Sequence, residues 1–256
     1  MEKPMLKSRL ASSFVALLAA SGVHAADLDL DNMTDAQREA FGAQVRAYLL
    51  ENPQVIMEAV QVLEERQAEE QAQGDLDLVA DNADEIFNDG YSWVGGNPEG
   101  DVTIVEFFDY RCGFCRRAHP EVKQLLELDG NIRYIAKELP ILGENSVISA
   151  RFALAVREVA GDDAYAAANE ALIALNADMQ EPVLRRLAGE LGVDADAVIA
   201  AMDSDAVSEQ LAQTRALAQA LEINGTPSFV MGSQMIRGYM PLEAMQEVIE
   251  EERSEG

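Results

Sequence analysis

The sequence predicts an α/β domain preceded by a short all-helical segment, on three observations. Two β-branched and aromatic runs, 102–108 and 132–139, are separated by one helical stretch. Residues 144–221 have helical spacing almost throughout and are rich in Ala and Leu. A short strand pair at 228–236 precedes a final helix. The order is β, α, β, a helical block, a β-hairpin, then α, with no internal repeat.

Residues 1–25 have the pattern of a secretory leader. Lys3, Lys7 and Arg9 precede an apolar run from Leu10 to Ala20, and Val23 and Ala25 satisfy the small-residue rule for cleavage after Ala25. The run is shorter than the ~20 residues that span a bilayer; the alternative is an uncleaved anchor. Formal net charge is −27, and loss of three basic groups and one acid with the leader makes it −27 − 2 = −29. Such a surface argues against nucleic acid as a partner, because phosphates are bound by Lys and Arg.

After the leader, Thr34 caps a helix with Gln37 as its capping-box partner. Phe41, Val45, Tyr48 and Leu49 share one face. Asn52-Pro53 restarts the helix, and Val55, Ile56, Ala59, Val60 and Leu63 extend the stripe. From 64 to 73 the sequence is nearly all polar and is expected to fray. Residues 74–91 lack a clear period and are expected to be a linker. Segment 26–73 is too small to cover its own stripe, so it docks on the main domain or on another copy.

In the main domain, 92–256, Val102–Phe108 is a buried strand and Cys112 to about Leu128 a helix containing Pro120. Asp129-Gly130 turns into a strand at Ile132–Leu139. The helical insertion, about 144–221, has breaks near Gly161-Asp162, Gln180–Pro182 and Gly192. Ser228–Met231 and Gln234–Ile236 form the hairpin, and Pro241 opens the last helix.

Cys112-Gly113-Phe114-Cys115 holds the chain's two cysteines, at the junction of strand and helix. Spacing by three puts both sulfurs on one face. At a helix N-terminus, free N–H groups and the dipole favour a thiolate, the reactive form. Cys112 is therefore expected to attack, and Cys115, one turn inside, to resolve the mixed disulfide. A structural disulfide is one alternative, though so small a loop removes little unfolded-state entropy. A metal site is the other: Cys112, Cys115 and His119 are three ligands where a closed zinc site needs four.

The run Val105–Pro120 around these cysteines, with Asn224-Gly225-Thr226-Pro227-Ser228-Phe229-Val230, resembles the thioredoxin superfamily and its DsbA-like branch over about residues 92–252. The resemblance implies a thioredoxin fold with a helical insertion. It implies a catalytic role for Glu106, the buried acid six residues before Cys112, in moving the Cys115 proton, with Lys137 as a candidate partner. It implies a cis Pro227 facing the cysteines, with Thr226, Gly113 and Phe114 contacting substrate. Gly113-Phe114 lacks the histidine that the strongest oxidants of the branch carry before the second cysteine, so a less oxidising pair is expected.

Segment 36–65 is similar to the N-terminal domain of ScsC-type proteins, which implies self-association through residues 34–65. Oligomeric members tend towards isomerase or reductase activity, and a Thr before the cis-proline is typical of isomerases. The resulting expectation is a periplasmic disulfide interchange enzyme, isomerase rather than oxidase. It acts on unfolded or misfolded exported proteins, is reset by a membrane redox partner, and needs no cofactor beyond the Cys112–Cys115 disulfide. The rival expectation is copper(I) handling by Cys112, Cys115 and perhaps His119, with Met231, Met235 and Met240 nearby.

Overall fold

A computed structural model describes residues 32–255; the leader reading of 1–25 lies outside the described residues. The chain divides into two compact units at Gln61/Val62, earlier than the boundary at 73 expected from sequence. In the first unit, helix α1 (Asp35–Glu51) opens on the capping box read from sequence. The Gln37 N–H donates to Thr34 Oγ1 at 3.3 Å and the Thr34 N–H to Gln37 Oε1 at 2.9 Å. It closes at Asn52, whose backbone and side-chain N–H groups both donate to the Tyr48 carbonyl. Helix α2 (Gln54–Asp81) starts after Pro53. No residue of α1 is buried.

In the second unit, α2 extends to Asp81 and α3 (Ala83–Phe87) follows. Residues 64–91 are thus largely helical rather than frayed and linking. The reason is tertiary: Val79 and Ile86 are buried in a core with Val105, Phe107, Ile135 and Leu221, which a search for local period does not register.

The sheet comprises β1 (Trp93–Gly96), β2 (Val102–Phe108), β3 (Ile132–Glu138), β4 (Ser228–Met231) and β5 (Gln234–Arg237), in the order β1-β3-β2-β4-β5. β2 and β3 are parallel, and the other pairings antiparallel. Strand β1 has no counterpart in the sequence reading; it is four residues long with two glycines, and its pairing with β3 defines it. Helix α4 (Gly113–Asp129) connects β2 to β3 and ends on Gly130 at φ 68°, the left-handed cap that glycine adopts without strain.

The insertion is α5 (Glu144–Ala160), α6 (Asp162–Ala174), α7 (Glu181–Glu190), α8 (Ala195–Ala201) and α9 (Asp205–Ala220); α10 (Leu242–Glu255) closes the chain. The three expected breaks are helix boundaries. A fourth, unread in the sequence, falls before α9, where Ser204 Oγ accepts from the Val207 N–H at 3.2 Å.

β2 and β3 are covered on both faces, which explains their nearly continuous apolar character. Ile104, Phe108, Tyr134 and Ala136 face one core, with α4, α5 to α8, the start of α9 and α10. Val105, Phe107 and Ile135 face the other, with α3 and α9. This parity of side chains along each strand decides what meets the cysteines.

Candidate active site

The site lies where β2 ends and α4 begins. Asp109, almost fully buried, fixes the turn between them. Its Oδ1 accepts from the Arg111 N–H at 2.8 Å, and its Oδ2 from the Ile141 and Leu142 N–H groups at 2.9 and 3.1 Å. Its carbonyl accepts from the Cys112 N–H at 3.0 Å. One carboxylate thereby ties the cysteine turn to the loop after β3. Sequence reading missed it, although an Asp two residues before a helix-opening turn is a typical Asx-turn signal.

Cys112 is the N-cap of α4, with extended backbone, and no side chain caps the first turn. Among the described residues no side chain is shown accepting from the N–H donors of that turn. Cys112 Sγ lies 3.1 Å from the Thr226 carbonyl oxygen, to which the thiol donates. The Thr226–Pro227 peptide bond is cis, and its carbonyl, that of Thr226, is the group Cys112 meets. Cys115 is 1% exposed against 6% for Cys112. Both are free thiols. Burial pushes the Cys115 thiol well up, opposed by a backbone hydrogen bond at Asp109 and reinforced by the Glu106 charge. Phe114 is exposed beside them, and Gly113 faces open space.

Glu106 lies on the α4 face of β2 and is buried. Burial raises its carboxyl to about 7, and a hydrogen bond from Tyr134 pulls the other way. Tyr134 Oη donates to Glu106 Oε2 at 2.5 Å. Lys137 does not pair with Glu106. In the parallel register Glu106 stands beside Ala136 and Lys137 beside Phe107, so the lysine points to the opposite face. There it bonds Asp89, the Ser92 hydroxyl at 3.2 Å and the Glu85 carbonyl at 3.1 Å.

Two arginines flank the turn. Arg116 donates to the Tyr110 carbonyl at 3.0 Å and the Leu175 carbonyl at 2.7 Å, and Arg111 to the Ala177 carbonyl at 2.9 Å. They fasten the α6–α7 loop beside the cysteines. Burial and the neighbouring Arg111 lower Arg116, while Asp109 and Cys112 oppose this, so the guanidinium sits within electrostatic range of Cys112.

His119 lies one turn beyond Cys115, 3.2 Å from Glu170. It lines a cavity of about 490 Å³ between β1, α4 and α6 to which neither cysteine contributes. Among the described residues no group of three or more His, Cys, Asp or Glu is arranged to hold a metal ion. His119 is therefore not gathered with Cys112 and Cys115 into a three-ligand group. Met231 is fully buried core, and Met235 and Met240 are partly buried against the cores.

Residues 103–250 match the DSBA-like thioredoxin domain, and residues 37–70 the copper resistance protein ScsC N-terminal domain. A solved thioredoxin-like oxidoreductase from Silicibacter pomeroyi is 42% identical, with TM-score 0.63 over 67% of this chain and 97% of that one. BcfH from Salmonella enterica Typhimurium is 28% identical, with TM-score 0.72 over 85% of this chain and 96% of that one. Among curated proteins, the Na(+)/H(+) antiporter NhaA 1 of Salinispora arenicola is 29% identical over 153 residues, 59% of this chain and 23% of that protein. The chain thus spans about a quarter of the length of the antiporters it matches. The first family match alone takes in more than half of the sequence, and the chain belongs to the DSBA-like thioredoxin domain family.

Proposed function

We propose that this protein is a thiol–disulfide oxidoreductase acting on unfolded or misfolded exported proteins, as an isomerase rather than an oxidase. The observation that carries this reading is the placement of the two sulfurs. Cys112 opens α4 with its sulfur against the Thr226 carbonyl, and Cys115 is buried one turn inside, within electrostatic range of Glu106.

Cys112 gives up its thiol proton to solvent, and the thiolate attacks a substrate disulfide. One sulfur of the substrate leaves as a thiolate and the other is held in a mixed disulfide. Cys115 is protonated at rest because burial raises its thiol. Glu106, at about 7, is near half-ionised at neutral pH, the condition in which a general base is most effective. In isomerisation a free thiolate of the substrate attacks the substrate sulfur of the mixed disulfide, which re-forms a substrate disulfide and releases Cys112 as a thiolate with no net electron transfer. When no substrate thiol arrives, Glu106 takes the Cys115 proton, Cys115 attacks Cys112 Sγ, and the substrate departs reduced by two electrons as Cys112–Cys115 becomes a disulfide. A membrane redox partner returns the pair to thiols. Thr226, Pro227, Gly113 and Phe114 hold the extended peptide; Phe114, 60% exposed, offers it an apolar surface.

The first unit serves self-association. Phe41, Val45 and Tyr48 on α1 and Ile56, Val60 and Leu63 on α2 are 40–56% exposed in the single chain, a stripe that a second copy would cover. The leader pattern at 1–25 and a reliance on thiol exchange support a periplasmic location.

Replacing Cys112 with Ser should abolish insulin reduction, and retained turnover would reject the assignment. Trapping thiols in cells separates the activities: a mostly reduced pair supports an isomerase, a mostly oxidised pair a disulfide donor. Light scattering on the leaderless chain should show an oligomer; a monomer at micromolar concentration would remove self-association from the proposal.

A further inference from the structure

We propose that Tyr134 is a positioning residue of this chemistry, the fixed hydroxyl donor that holds the Glu106 carboxylate in place and governs when it is available as a base for Cys115. This rests on the thiol-exchange reading and adds a residue that the sequence resemblance did not assign.

The geometry is specific. Tyr134 sits on β3 in register with Ile104, on the same face as Glu106, and its hydroxyl approaches Oε2 at 2.5 Å with both side chains buried. Tyr134 is the only hydrogen-bond partner shown for the Glu106 side chain among the described residues. Few groups face or act on this carboxylate. From α4 there is Cys115, itself beside Cys112; from the turn after β2 there is Tyr110; from β3 there is Tyr134. Strand β4 contributes Phe229, in register with Glu106, and Met231, both apolar. None of these is a cation, and Lys137 lies on the other face. A buried negative charge here is therefore countered by one phenol.

That phenol acts as a donor only. Burial, the Glu106 charge and the shared hydrogen bond all push Tyr134 ionisation well above its ordinary range, so the hydroxyl keeps its proton while Glu106 titrates. Its bond is stronger to the carboxylate than to the neutral acid, which opposes the effect of burial. Without the hydroxyl, Glu106 would hold its proton to higher pH and fail as a base near neutrality.

The step can be isolated with glutathione as the probe. Cys112 is loaded as a glutathione mixed disulfide. Glu106 takes the Cys115 proton, Cys115 attacks Cys112 Sγ, the Cys112–Cys115 bond forms and glutathione thiolate leaves. Release is followed by rapid quench across pH in wild type and Tyr134→Phe, with the Glu106 carboxyl titrated by NMR on 13C-labelled glutamate in the reduced proteins. The midpoint should rise by about one pH unit in Tyr134→Phe, so release at pH 6 should fall about tenfold and be unchanged at high pH. In a Glu106→Gln background, Tyr134→Phe should have no further effect.

Superimposable profiles, a drop equal at every pH, or a Tyr134 effect that persists without Glu106 would overturn the proposal. A wild type that never releases glutathione would count against the thiol-exchange reading instead, while the carboxyl titration would still decide the role of Tyr134. Should Tyr134→Phe not fold, wild type provides the test: a downfield Tyr134 hydroxyl proton, lost in Glu106→Gln, is expected, and its absence overturns the assignment. Trp93, the chain's only tryptophan, lies edge-on to Tyr134 at 6.2 Å and gives an independent optical titration.

Discussion

Glu106 and Lys137 are buried ionisable groups on adjacent strands of one sheet, on opposite faces. Their surroundings differ in kind. Lys137 meets an opposite charge, a hydroxyl and a carbonyl, all on or next to α3. Burial pulls the lysine amine down and acts to raise Asp89, but the Lys137 and Ser92 bonds leave the Asp89 carboxyl below its ordinary value, so the pair is held ionised. Glu106 has one neutral donor and no cation, and burial leaves it at about 7. A buried charge with its partners satisfied is a fastening. One with too few partners changes its protonation near neutral pH and so is available for proton transfer.

The sharpest way to break this comparison is to neutralise each group. Glu106→Gln should slow glutathione release from the Cys112 mixed disulfide by about 10²–10⁴-fold near pH 7, the usual worth of a positioned base. A loss under threefold in quenched-flow assays would make Glu106 structural. Lys137→Met should do the reverse. It strands Asp89 without its cation and should cost about 3–5 kcal/mol in urea unfolding, while the folded fraction keeps its exchange rate. A stable Lys137→Met protein with impaired exchange would exchange the two roles.

The pH dependence of stability should have opposite signs at the two sites. The folded Glu106 carboxyl is raised from 4.5 to about 7, so the unfolded chain gives up this proton first. Its contribution falls as pH rises from about 4.5 to about 7 and is flat beyond, a loss on the order of 3 kcal/mol that Glu106→Gln should lack. Asp89 is lowered in the folded state; its contribution is present above its unfolded value of 3.8 and is lost as pH falls through the folded value. Unfolding curves from pH 3 to 8 for wild type and Glu106→Gln that run parallel would contradict the Glu106 assignment. The smallest effect is expected at Ser92, which donates to Asp89 Oδ2 at 2.6 Å and accepts from Lys137. Ser92→Ala should lower stability by about 1.5 kcal/mol, the worth of a hydrogen bond to a charged group, with exchange unaltered.

Much of the site was legible because its signals are local. The Cys-x-x-Cys at the junction of strand and helix, the capping box at Thr34 and Gln37, and the Thr226-Pro227 turn each occupy a few consecutive residues. That Lys137 faces away from Glu106 is not legible locally, because the register of two strands separated by a helix is set by the whole crossover. Asp109 was passed over because the amides it binds at Ile141 and Leu142 lie more than thirty residues away. The helix through Asp81 was missed because Val79 and Ile86 have apolar neighbours only once β2, β3 and α9 are in place.

From the sequence alone come the strands β2 to β5 in their order with the helices between them, the sulfur pair at a helix start and an acid on the strand leading to it, since hydrophobic period and turn chemistry act between near neighbours; β1 and α3 do not. The folded chain alone decided that Tyr134, and not Lys137, meets that acid. Side chains alternate across a strand, so a partnership between strands depends on a register set by the whole crossover through α4. A single step of that register would bring the other residue to the same face.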